Sequence, residues 1–140
     1  MAKRKSINYP GFKHENPIPN ASRIGNILMS SIISGRDPAT SQMPPELDAQ
    51  VTNIFKQIKL CVEAAGGTVD DIIKVNFWMK DPATGRKALN GEWSAMFPDP
   101  ESRPARHTPA GSRLVAPPTA GEQRRGMGPL RRRCHRHPHS

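Results

Sequence analysis

A chain of 140 residues has room for one domain and not for two. Its hydrophobic fraction of 35% and mean hydropathy of −0.64 are thin for a chain that folds along its whole length. The formal charge of +9 suggests a nucleic-acid surface until its distribution is read. Arg113, Arg124, Arg125, Arg131, Arg132, Arg133 and Arg136 all lie beyond residue 108 with a single acid, Glu122, while Lys3, Arg4 and Lys5 account for the rest of the excess. The body of the chain is near neutral, so no basic groove is expected within it.

Cys61 and Cys134 lie in a helical pattern and in the tail, which gives no disulfide framework. The N-terminal MAKRKSINYPGF is basic but lacks the apolar stretch of a secretory signal. No run approaches the roughly 18 apolar residues of a membrane span. The expectation is a soluble cytoplasmic protein with reduced thiols.

In chain order, residues 1–16 read as an extended arm containing Pro10 and Gly11. Gly25-Asn26 between apolar neighbours is a two-residue hairpin signal, and the strand after it is expected to run from Ile27 to Ser34. Gly35 to Thr40 is turn-rich. Pro44, Pro45, Glu46 and Asp48 then open a helix, since proline suits the first turn and acids face the positive end of the dipole. Leu47, Val51, Ile54, Phe55, Ile58, Cys61, Val62 and Ala65 recur in steps of three and four and predict one buried stripe. Gly66-Gly67 ends that helix.

Ile72 to Met79 predicts a strand, with Ile73, Val75, Phe77 and Met79 on one face and Ile72, Lys74, Asn76 and Trp78 on the other. Asp81-Pro82 marks the entry to a second helix carrying Leu89, Trp93, Met96 and Phe97 on one side. Pro98, Pro100 and Pro104 break it, and extended structure resumes near Ala105. The order strand, strand, helix, strand, helix, strand predicts an α+β domain over residues 1–108, with helices on one face of a mixed sheet. Residues 109–140 carry five prolines and an Arg/His run, with Leu114, Val115, Met127 and Leu130 as their only large apolar groups. Such a tail cannot bury enough apolar area to offset its ordering entropy and is expected to be disordered.

Three stretches carry a resemblance: Pro17 to Asn26, the helix-to-strand junction EAAGGTVDDIIKVNFWMKD, and RPARHT at 103–108 with its Pro-Ala-Arg signature. Together with Leu89-Asn90 in the second helix, they resemble the RidA (YjgF) family of enamine/imine deaminases over about two-thirds of the chain. The resemblance implies a chorismate-mutase-like fold and a homotrimer with sites in clefts between subunits. It also implies hydrolysis of reactive enamines and imines to a 2-keto acid and ammonia, with no metal or organic cofactor. Arg106 would then grip the substrate carboxylate, because a guanidinium fork matches a carboxylate with two parallel hydrogen bonds. Thr108, Asn90 and Ser31 complete the candidate substrate-binding set. An imine is already activated, so a positioned water suffices without a Ser-His-Asp or Cys-His set.

The chain departs from the family pattern in several places. Ile18 stands where such deaminases carry a tyrosine, and Thr108 where they often carry a cysteine. The apolar last strand, with a glutamate that helps hold the attacking water, has no counterpart here, so the altered C-terminus would impair the site. The tail reads instead as an out-of-frame continuation, a reading that the intact strand in another frame of the coding DNA would support. Blander roles compete at each position. Arg106 could be an exposed or interface arginine, Asn90 a solvated helix residue, and Ser31 or Ser34 a local hydrogen-bonder. His107 should point away from Arg106, to the opposite side of its strand. Cys134, His135, His137 and His139 lack the folded scaffold of a metal site, and the arginine run 131–133 suits only non-specific phosphate attraction. The alternatives to a deaminase are a non-catalytic member binding small metabolites or proteins, and a ribonuclease-like member associated with nucleic acid.

Overall fold

The structure, a computed structural model, describes residues 3–11 and 13–109. The chain opens with an antiparallel meander of β1 (Lys5–Ile7), β2 (Ala21–Ile24) and β3 (Ile27–Ser30), in spatial order β1-β2-β3. The expected hairpin joins β2 to β3, with Ile24 opposite Ile27. Gly25 opens its turn at a φ of +55°, which a side chain would resist. The predicted extended arm turns out to be a paired edge: Ile7 lies opposite Ala21, and Ile7 and Tyr9 are both buried.

Helix α1 (Leu47–Ala64) follows the predicted stripe. Val51, Phe55, Ile58 and Cys61 are buried along it, and Gly66 takes a φ of +88° beyond its end, with the Gly67 amide donating back to the Val62 carbonyl. The apolar pattern did not reveal that Asn53 and Gln57, one turn apart on the same helix, are buried too. Asn53 Nδ2 donates to the Gly35 carbonyl at 3.0 Å, and Gln57 Nε2 donates to the carbonyls of Ser34 and Arg36 at 2.9 and 2.8 Å. Three consecutive carbonyls of an irregular segment, which has no ladder to satisfy them, are thereby held by α1. That segment corrects the predicted Ile27–Ser34 strand, which ends at Ser30.

A 3₁₀ turn at Val69–Asp71 leads into β4 (Lys74–Asn76), α2 (Pro82–Met96) and β5 (Ala105–His107). The regular part of β4 is shorter than the predicted Ile72–Met79 strand. Its parallel ladder with β5 is carried further by hydrogen bonds from Ala105 N to Ile73 O, Phe77 N to His107 O and Met79 N to Pro109 O. Phe77 and Met79 face the core as their alternation predicted, but Ile73 does not: it is 85% exposed where the chain leaves the 3₁₀ turn. Asp81 caps α2 by accepting from the Ala83 amide and the Thr84 hydroxyl. The Thr84 bond, ahead of the backbone amides and the charge of Arg86, holds the Asp81 carboxyl below its ordinary range.

The main core joins Val51, Phe55 and Ile58 of α1 to Phe77, Met79, Leu89, Trp93 and Phe97. Its aromatic members stack or meet edge to face from Phe55 through Phe77 and Trp93 to Phe97, with centroids 5.6, 6.2 and 4.8 Å apart. A second cluster places Ile7, Tyr9 and Ala21 of the meander against Cys61 and Ala65. The α+β architecture expected from the element order is therefore present, with its strands in two sets: an antiparallel triplet and a parallel pair crossed over by α2. Among the described residues no strand follows β5, and no helix is long and apolar enough to cross a membrane. The tail from 110 onward, including Cys134 and its neighbouring histidines, lies outside the described residues.

Cys61 is a buried free thiol, and burial pushes its pKa up. Its alkylation by iodoacetamide at neutral pH is expected to be at least about 100-fold slower in the native protein than in urea, because both thiolate formation and access require local opening. Site-resolved mass spectrometry checks this: comparable native and unfolded labelling of Cys61 would contradict the burial.

Candidate functional site

Arg106 is the middle residue of β5, in register with Val75 of β4. Its neighbours Ala105 and His107 are exposed while it is half-buried, so the strand turns Arg106 toward α2 and His107 away. Two α2 residues receive its guanidinium. Nη2 donates to Asn90 Oδ1 at 3.0 Å, and the cation lies over the Trp93 ring, 5.1 Å from the centroid. Nη1 is buried and has no hydrogen-bond partner. Burial, and after it the like charge of Arg86, pulls the Arg106 pKa below its ordinary value; an arginine stays protonated at neutral pH regardless. Among the described residues no acid forms a salt bridge with it.

This is an unusual setting for a surface arginine. Desolvating a cation is costly, and the protein commonly offsets that with an acid. Here the offset is one amide oxygen and one ring face, and a donor is left over. The arrangement is preorganised for an external anion, since the fork is already oriented and part of the desolvation cost has been met in folding.

The structure thus brings together two of the four sequence-predicted site residues, Arg106 and Asn90. Thr108 lies two residues further along the same extended segment, half-buried. Ser31 does not join them. Its hydroxyl donates to the Pro19 carbonyl at 2.8 Å and its amide donates to the Asn20 carbonyl, which ties it to the segment before β2. Ser34 is half-buried, its hydroxyl enclosed and its carbonyl held by Gln57.

A hollow of about 750 Å³ opens beside that segment, lined by residues that include Asn8, Lys13, Ile18, Asn20, Pro38 and Ser41. Arg106 does not line it. The cation is the better guide to chemistry, because its fork is oriented by Asn90 and Trp93 and still has a donor left over. The sequence placed Trp93 on the apolar side of the second helix; it packs there and also carries the guanidinium. Arg86 was not singled out. The signal that could have found both is the spacing of Arg86, Asn90 and Trp93, which places them on one face of a helix at i, i+4 and i+7. Among the described residues no group of three or more His, Cys, Asp or Glu side chains could hold a metal ion.

Comparison with known proteins gives consistent relatives. Residues 13–120 match the family described as Endoribonuclease L-PSP. A RutC family protein of Haemophilus influenzae is 31% identical over 81 residues, 58% of this chain and 62% of that protein. The 2-iminobutanoate/2-iminopropanoate deaminase of Escherichia coli is 31% identical over 74 residues, 53% of this chain and 57% of the enzyme. The matched segment therefore spans less than two-thirds of either relative. The crystal structure of RidA from the Antarctic bacterium Psychrobacter sp. PAMC 21119 superposes with a TM-score of 0.68 at 28% identity, covering 77% of this chain and 86% of that one.

Proposed function

The chain belongs to the RidA (YjgF) family, and on that premise we propose that it hydrolyses reactive imino acids to 2-keto acids and ammonia, holding the substrate carboxylate on Arg106. The observation that carries this reading is the half-buried guanidinium that rests on Trp93 and Asn90 with a donor unspent. A planar carboxylate accepts two parallel hydrogen bonds from such a fork, which fixes the plane of the adjoining C=N group. Water then adds to the imine carbon and one of its protons moves to nitrogen, giving a carbinolamine; the remaining hydroxyl proton follows to nitrogen as the C–N bond breaks, leaving the keto group and ammonia. An enamine takes a proton at carbon first and enters as the imine. Ordering the substrate and its water supplies the rate, since the electrophile is already activated.

The same reading makes the protein a cytoplasmic homotrimer. Two features support the assembly. Ile27, Met29, Ile73 and Trp78 are large, apolar and at least half exposed, which suits a subunit interface. Ser31 and the hollow beside Ile18 lie apart from Arg106 within one protomer, as they would if each cleft drew one wall from each of two subunits.

One observation favours a second reading, a metabolite-binding relative without turnover: among the described residues no acid stands beside Arg106 to hold the water. A coupled assay separates the two. An amino-acid oxidase acting on alanine generates 2-iminopropanoate, and semicarbazide competes for it. The deaminase reading predicts that added protein lowers the initial rate of semicarbazone formation by at least about half at micromolar concentration, with sedimentation giving three times the protomer mass. A trimer that leaves the semicarbazone rate at its buffer value would leave the binder.

A further inference from the structure

We propose that Arg86 is a second anion-binding residue beside Arg106, and that the pair therefore selects short imino acids bearing a second carboxylate, of the aspartate or glutamate type. This rests on the reading of Arg106 as the grip for the first carboxylate. Asn90 and Trp93 both touch the Arg106 guanidinium, so the α2 face that carries them is turned toward β5. Arg86 lies on that face, one turn before Asn90, where Cβ atoms stand about 6 Å apart. It is exposed and takes no hydrogen bond or ion pair among the described residues.

Its field reaches both Arg106 and Asp81. The Asp81 carboxylate is engaged by the Ala83 amide and the Thr84 hydroxyl at the start of α2. Lys87, the next residue, adds positive charge and is exposed. Two guanidiniums of like charge beside one helix face repel each other, and Asp81 is already engaged in the first turn of α2, so a ligand with negative charge at both ends relieves the repulsion. A monocarboxylate neutralises Arg106 alone and leaves Arg86 unmet. A neutral, extended side chain on the substrate would gain nothing from Arg86.

The test is calorimetric binding of two stable keto-acid products, pyruvate and 2-oxoglutarate, to the full chain at low salt. In the native protein 2-oxoglutarate is expected to bind about tenfold more tightly than pyruvate, the effect of one additional oriented charge contact. In Arg86→Ala that ratio is expected to fall to near one, and in Arg86→Lys to recover in part. Equal affinities in the native protein, no binding of either acid, or a ratio unchanged in Arg86→Ala would overturn the proposal. A ratio that survives in Arg106→Ala would also overturn it, because the two arginines would then not share a ligand. Failure of the deaminase reading looks different: the dicarboxylate preference is seen, yet no imine is hydrolysed.

Discussion

Replacing Arg106 by alanine is expected to lower kcat/KM for imine hydrolysis by about 100-fold, or about 3 kcal/mol of transition-state stabilisation. The size follows from what the side chain supplies. A charge-assisted hydrogen bond contributes about 1.5–3 kcal/mol, and the fork offers two of them to a carboxylate. Part of that is offset because water partly replaces the lost donors at a residue that is only half-buried. Arg106→Lys keeps the charge and loses the plane, so about a tenfold loss is expected, with much of it in kcat if orientation is what the fork provides. Stability should move little in either variant. The guanidinium makes one hydrogen bond, to Asn90, and one ring contact, to Trp93, while Nη1 is unpaired and Arg86 repels it. Removing a half-desolvated, repelled cation costs the native state about 1 kcal/mol at most. Steady-state rates with in situ generated imine, paired with urea titrations, decide the matter. Turnover within twofold of native in a folded Arg106→Ala protein would end the role assigned to this residue.

The sequence made legible those features that are set by short-range periodicity. The α1 stripe from Leu47, the glycine stop at Gly66 and the Gly25-Asn26 hairpin are local rules, and each is present in the structure. The Arg106–Asn90 pair was reachable only through the resemblance, since the residues are 16 apart and nothing in either element alone points to the other. What escaped reading depends on distant partners. The pairing of β1 was hidden in an arm with Pro10 and Gly11, because Ile7 and Tyr9 become core residues only once α1 and the residue that caps it supply Cys61, Gln57 and Ala65. The strands were read too long at Ser31–Ser34 because the alternative anchoring, by the amides of α1, involves polar residues that an apolar pattern passes over. The double role of Trp93 was missed for a related reason: a ring edge can serve the core while its face stays available to a cation.

Gln57→Leu is expected to destabilise the protein by about 3–5 kcal/mol, although it replaces a polar side chain in the interior with an apolar one of similar size. Gln57 is fully buried. Its Oε1 accepts from the Tyr9 hydroxyl at 3.0 Å, and its Nε2 donates to the carbonyls of Ser34 and Arg36. Leucine would be the better residue if the partners disappeared with the glutamine, but they remain. A phenol that is 5% exposed would keep only Asn20, and the Ser34 and Arg36 carbonyls would lose their bonds, at about 1–3 kcal/mol apiece before the apolar gain is subtracted. The Tyr9 phenol already has its pKa pushed up to about 12, chiefly by desolvation and against a hydrogen bond with Asn20, so Asn20 is what remains to it. Tyr9→Phe removes one of these bonds and should cost less, about 1–2 kcal/mol. Because the two side chains share that bond, their effects should not add: Tyr9→Phe/Gln57→Leu should be little worse than Gln57→Leu alone, with a coupling of about 1 kcal/mol. Urea midpoints at constant m-value measure all three variants. Fully additive losses, or a Gln57→Leu protein as stable as the native one, would mean that Gln57 is not the tie between the N-terminal arm, α1 and the segment leading out of β3.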